Sequence, residues 1–86
     1  MARYKVFIKP SAVKDIEAID SMRDRRRVVR RIRELADGPR PPGCEKLSAK
    51  DTHRVRQGNY RIVYAIEDDR LVVYVVKVGH RKEVYR

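Results

Sequence analysis

The apolar residues of this 86-residue chain change their spacing between its helical and its later half, and that change limits what it can fold into. From Pro10 to Ala36 they recur every third or fourth position, whereas from Thr52 to Val78 they recur mainly every second. The first spacing lines one stripe of a helix and the second lines one face of a strand. Pro10 and Ser11 open a short first helix, since Pro suits a first turn and Ser can cap exposed N–H groups. Its stripe is Ala12, Val13, Ile16 and Ile19. A second helix runs from Met22 to Ala36 on the stripe Val28, Ile32, Leu35 and Ala36, with Val29 at its margin. Gly38 in a left-handed conformation and Pro39 after it would stop that helix. Ahead of both helices, Arg3 to Ile8 alternates as a strand, with Tyr4, Val6 and Ile8 on one side.

Pro39 to Lys50 reads as a loop, punctuated by Pro39, Pro41, Pro42 and Gly43. Strands then follow at Thr52 to Gln57, Tyr60 to Glu67 and Arg70 to Val78. Gly58-Asn59 joins the first two as a two-residue primed turn. The run Leu71 to Val76 is apolar on both faces and belongs inside a sheet. The order β-α-α-β-β-β predicts an α+β fold, a mostly antiparallel sheet with an N-terminal helical hairpin packed on one face. The length suits a single domain, residues 1-86. No apolar run reaches the ~18 residues of a membrane span, and no signal-peptide core follows Met1. Cys44 has no partner for a disulfide framework, and nothing nearby activates its thiol. A soluble, cytoplasmic and very basic domain is expected, with a net charge of +10.

That charge is concentrated. A two-residue loop at Gly58-Asn59 pairs Gln57 with Tyr60, Arg56 with Arg61, Val55 with Ile62 and Arg54 with Val63. Arg54, Arg56 and Arg61 then project from one face, and a register slip of one residue would remove Arg61 from it. Arg56 and Arg61 would be cross-strand neighbours, an arrangement that costs up to ~1 kcal/mol unless something anionic offsets it. Guanidiniums suit phosphate because each donates two parallel hydrogen bonds. The same residues also fit a solvated basic face, and the pattern alone leaves both readings open.

Two further segments are basic. In the tail from Gly79 to Arg86, Gly79 allows a bend that would turn Arg81 and Tyr85 over the open sheet face, with Lys82 between them. A phenol among guanidiniums has its anionic form favoured and becomes a proton acceptor, although a terminal tyrosine also anchors tails. On the second helix Arg23, Arg25, Arg26, Arg27, Arg30, Arg31 and Arg33 crowd together, a docking face for RNA, with Arg26 and Arg30 as its representatives, or a solvated surface. Tyr60 and Tyr64 read as core. Only His53 and His80 are present, with no carboxylate cluster, so neither a metal nor another cofactor is expected.

The segment from Arg54 to Tyr64, followed by Val78 to Tyr85, resembles the RelE branch of the RelE/ParE toxins. "GNYRIVY" and "VGHRKEVY" carry the resemblance, which extends over nearly the whole chain. It implies a toxin of a toxin–antitoxin pair with a RelE-like fold similar to small microbial ribonucleases. It further implies a ribosome-dependent endoribonuclease that cuts mRNA in the ribosomal A site by 2′-hydroxyl attack. The family's site residues fall on Arg54, Arg56, Arg61, Arg81 and Tyr85. Some members have lysines where Arg54 and Arg56 stand. Arginine does not deprotonate, so these two are expected to act electrostatically, leaving Tyr85 for proton transfer. Arg61 and Arg81 would hold the scissile phosphate, Arg54 and Arg56 the flanking backbone, and Arg54 also the leaving oxygen. The implied partners are a cognate acidic, RelB-like antitoxin and the ribosome, with no membrane. A ParE-like gyrase inhibitor without nuclease activity, and a non-catalytic RNA-binding module, are the competing readings.

Overall fold

The computed structural model describes residues 3–47 and 51–80. Strand β1 (Lys5–Ile8) is followed by helices α1 (Pro10–Glu17) and α2 (Met22–Glu34). Strands β2 (Glu45–Lys46), β3 (Thr52–Gln57), β4 (Tyr60–Glu67) and β5 (Val72–His80) complete a five-stranded sheet of order β1-β5-β4-β3-β2. β1 runs parallel to β5, and the other neighbours are antiparallel. The fold is α+β, as the change of spacing predicts. Among the described residues no helix is long and apolar enough to cross a membrane.

The two helices start differently. Pro10 occupies the first turn of α1, where its missing N–H costs nothing. Its cap position is Lys9, which makes no side-chain capping bond, and Ser11 lies inside the helix rather than capping it. α2 has a true cap: Ser21 Oγ accepts the Asp24 N–H at 3.2 Å. Asp24 at its start and Arg31 and Arg33 at its end complement the helix dipole.

The end of α2 departs from expectation. Gly38 is not left-handed; positive φ among the described glycines falls at Gly43 (+87°) and Gly58 (+60°). Instead the chain tightens into turns in which Leu35, Ala36 and Asp37 bond back to the carbonyls of Ile32, Arg33 and Glu34. These shorter-range bonds use carbonyls that a left-handed cap would otherwise satisfy.

One core lies between helices and sheet. Val28, Ile32 and Leu35 from the α2 segment meet Ala12, Ile16 and Ile19 from the α1 segment above Val55, Ile62, Tyr64, Ile66, Val73, Val75 and Val78. Val13 sits outside this stripe, 38% exposed. Tyr64 is fully buried and donates to the Pro39 carbonyl at 2.7 Å, pinning the proline-rich loop to β4. Tyr60 packs against the margin of the core.

β5 corrects two expectations. Its second face is not buried like the first: Val73 and Val75 are fully enclosed, whereas Tyr74 is 40% exposed and pairs with exposed Phe7 of β1. The strand also continues past Val78 through Gly79 and His80, because β4 goes on pairing with it there, so Gly79 lies in the ladder and not at a bend. A register shift beside Val63 and Tyr64 leaves Val76 as the extra residue and returns Val78 to the core face.

Candidate functional site

The β3–β4 hairpin builds the site. Gly58 at φ +60° supplies the turn geometry, and Asn59 needs no positive φ, as in a II′ turn. The register that results pairs Gln57 with Tyr60, Arg56 with Arg61, Val55 with Ile62 and Arg54 with Val63. Val55 and Ile62 enter the core beneath the helices. Arg54, Arg56 and Arg61, offset by one residue, therefore share the opposite face.

Their surroundings differ. Arg56 is exposed, the Arg54 side chain is 16% exposed, and Arg61 is only 4% exposed. Across β4–β5, Arg61 is in register with Gly79, which carries no side chain. Arg54 is ion-paired to Glu45, its register partner on β2. The Glu45 carboxyl is held below its ordinary value by the Arg54 hydrogen bond first, then by the Arg54 charge, and less by Arg56 and Arg61. Gly43, Cys44, Glu45, Arg54 and Arg56 line an open groove of about 510 Å³. Among the described residues that line it, this groove presents arginine with Glu45 as the one carboxylate, an arrangement suited to binding phosphate.

Glu45 and β2 are absent from the sequence reading. Two residues carry no periodicity, and Gly43 turning the chain back is the sole local signal. His53 is structural: it is buried, stacks on Tyr64 at 5.9 Å between ring centres, and its Nδ1 lies 3.1 Å from the Asp51 carbonyl oxygen. His80 meets Tyr60 edge to face at 5.5 Å, in a small cleft that Asp15 also lines. The structure thus brings a carboxylate near His80 that sequence order does not. Asp15 itself accepts the Val78 N–H at 3.2 Å, fastening α1 to the end of β5.

Arg26 and Arg30 are exposed on α2, in the helical layer, and so are not brought together with Arg54, Arg56 and Arg61. Arg81, Lys82 and Tyr85 lie outside the described residues. β5 ends at His80 in register with Tyr60, at the hairpin end of the sheet.

With this geometry in place, comparison with known proteins is decisive. A family model described as the ParE toxin of type II toxin–antitoxin systems, parDE, matches residues 6–85. The chain belongs to that family. It is a RelE/ParE superfamily toxin and RelE-like in its relatives. A putative RelE-like toxin protein of Escherichia coli is 27% identical over 82 residues, which is 93% of this chain and 85% of the relative. The toxin–antitoxin complex RelBE2 of Mycobacterium tuberculosis contains a chain that superposes with a TM-score of 0.81 at 27% identity, covering 96% of this chain and 97% of that one. The archaeal RelE–RelB complex of Pyrococcus horikoshii gives 0.82 at 26% identity, with 96% and 99% covered. The arginine face therefore belongs to a toxin of a toxin–antitoxin system.

Proposed function

We propose that this toxin is a ribosome-dependent endoribonuclease that cleaves mRNA in the ribosomal A site. The observation that carries the reading is the arginine face, with Arg61 nearly buried and directly opposite Arg56. Such a cluster lowers the energy of a phosphate as its charge grows toward the transition state. In the proposed reaction the 2′-oxygen bonds to phosphorus and the bond from phosphorus to the 5′-oxygen breaks. The products are a 2′,3′-cyclic phosphate and a 5′-hydroxyl. Tyr85 as phenolate accepts the 2′-hydroxyl proton, and the leaving oxygen takes its proton from water. Arg61 and Arg81 hold the scissile phosphate. Arg56 and Lys82 hold the flanking backbone, and Arg54 steadies the leaving oxygen once Glu45 has released it. Nothing here activates free RNA strongly, which fits a substrate that a larger particle bends and presents.

The RelE–RelB and RelBE2 complexes support an antitoxin of RelB type as the protein partner. An acidic segment that orders on binding suits a chain of net charge +10. The ParE description of the matching family favours one second reading, inhibition of DNA gyrase without RNA cleavage.

Primer extension on mRNA in a purified translation system, with and without ribosomes, separates the two. Cuts confined to the A-site codon of ribosome-bound message, lost in Arg61→Gln and Arg81→Ala and reduced in Tyr85→Phe, are the expected result. Blocked supercoiling by gyrase with intact message would transfer the assignment to the second reading.

A further inference from the structure

β5 has a strand on both sides for only part of its length. β1 pairs with it from Lys5↔Val72 to Ile8↔Val75, and the Lys9 N–H then donates to the Val75 carbonyl at 2.8 Å. Pro10 has no N–H to continue the ladder, and the chain leaves the sheet as α1. On the other side β4 goes on pairing, through Ile62↔Val78, Arg61↔Gly79 and Tyr60↔His80. Among the described residues, the stretch from Val76 to His80 therefore has β4 alone as a strand neighbour. Val78 is only 3% exposed, and a backbone N–H enclosed there needs an acceptor.

Asp15 supplies it. Its Oδ2 accepts the Val78 N–H at 3.2 Å, from a half-buried side chain on α1. The position is unfavourable for a carboxylate by itself. It lies toward the carbonyl end of an eight-residue helix, where negative charge is repelled, and partial burial removes hydration. The amide of Val78 offsets both. The end of the α1 segment is fixed in its turn, because Arg25 donates to the Ile19 carbonyl at 2.8 Å. A side chain thus stands in for β1, one residue before Gly79.

The consequence lies across the ladder. Gly79 is in register with nearly buried Arg61, and beside this pair His80 meets Tyr60 edge to face at 5.5 Å. A cleft of about 210 Å³, lined by Asp15, Ile19, Tyr60 and His80, opens at the end of the strand and leaves it room to lift from β4. We propose that Asp15 is a positioning residue for Arg61: holding the edge of β5 at Val78, it keeps Gly79 and His80 against β4 and so fixes where the Arg61 guanidinium stands. Its importance for cleavage rests on the reading that Arg61 holds the phosphate under attack.

Two variants and two readouts test this. Asp15→Ala removes the acceptor, whereas Asp15→Asn keeps an oxygen in its place. Asp68→Asn is the control for lost stability alone, because Asp68 fastens the other end of the sheet through Tyr4 and Arg40. Circular dichroism melts place the three variants on one stability scale. The first readout needs no reaction: amide exchange by NMR, with the Arg61 Nε–H signal followed as inorganic phosphate is added. In Asp15→Ala, exchange at Val78 and Gly79 is expected to quicken about tenfold or more, as for a lost bond to a charged group. The Arg61 signal is expected to move and to respond less to phosphate, while Asp15→Asn follows the parent and Asp68→Asn leaves both unchanged. The second readout is ribosome-dependent cleavage. Turnover in Asp15→Ala is expected to fall about tenfold or more at unchanged KM, since a misplacement of about 1 Å can cost about 100-fold. Asp15→Asn is expected to stay close to the parent.

Unchanged exchange and an unmoved Arg61 signal in Asp15→Ala would overturn the proposal. So would an equal loss in Asp68→Asn, or a loss in Asp15→Asn as large as in Asp15→Ala, which would trace the effect to charge and not to the hydrogen bond. A parent toxin that cuts no message would sink the nuclease reading alone, and the Arg61 signal would then decide the positioning.

Discussion

Arg56 and Arg61 stand directly opposite one another in the β3–β4 ladder, two like charges on the same face of the sheet. Two guanidiniums side by side repel, and the hairpin register holds them there. Arg56→Gln is therefore expected to stabilise the isolated toxin, by up to about 1 kcal/mol, while weakening its hold on RNA. Chemical denaturation and RNA binding measured on the same variant check this. A variant both less stable and fully active would contradict the argument.

In the proposed reaction Glu45 competes with substrate for Arg54. The ion pair crosses β2–β3, and the Glu45 carboxyl is held ionised by the arginines around it. Glu45→Gln removes a negative charge from the groove and an ion-pair partner from Arg54, so RNA affinity is expected to rise several-fold and its salt dependence to steepen. Unchanged affinity would mean that Arg54 does not touch RNA.

Asp68 ties three distant segments together. It accepts from the Tyr4 hydroxyl at 2.6 Å and from both terminal nitrogens of Arg40 at 3.1 and 2.9 Å. These partners, Arg40 first and Tyr4 next, lower its pKa to about 2. The folded value lies below the unfolded one, near 3.9, so the tie stabilises fully above about pH 4 and is lost as the pH falls toward 2. Asp68→Asn is expected to lower Tm at pH 6, with the gap to the parent closing near pH 2. A pH-independent gap in a thermal melt series would refute the ion-pair account.

Tyr64 offers a buried counterpart. Its hydroxyl donates to Pro39, and burial first of all pushes its ionisation well above the usual tyrosine value. Tyr64→Phe would strand the Pro39 carbonyl without a partner, and a loss of about 1–2 kcal/mol is expected in urea denaturation. A neutral effect would mean that another donor reaches that carbonyl.

What the sequence determined follows from local rules. The period of two on either side of Gly58-Asn59, joined by a loop of fixed length, settles the pairing of Arg56 with Arg61 and places Arg54 beside them. The stripe Val28, Ile32 and Leu35 likewise sets which side of α2 is buried. Tertiary structure decided whatever depends on residues far apart in the chain. Two-residue β2 has no period to read, and it exists because Glu45 meets Arg54 across the sheet. β5 outruns its apolar pattern because β4 keeps offering it hydrogen bonds as far as Tyr60. Gly38 stays out of the left-handed region because the last turn of α2 tightens in place of a glycine cap. The α2 arginines look alike in one dimension: Arg31 meets Glu34 three residues on in its own helix, whereas packing of the two helices commits Arg25 to the Ile19 carbonyl and leaves Arg23, Arg26, Arg27, Arg30 and Arg33 in solvent. Spacing along a chain fixes a side chain's direction within its own element, but its neighbours from other elements are set only when the layers close around a core.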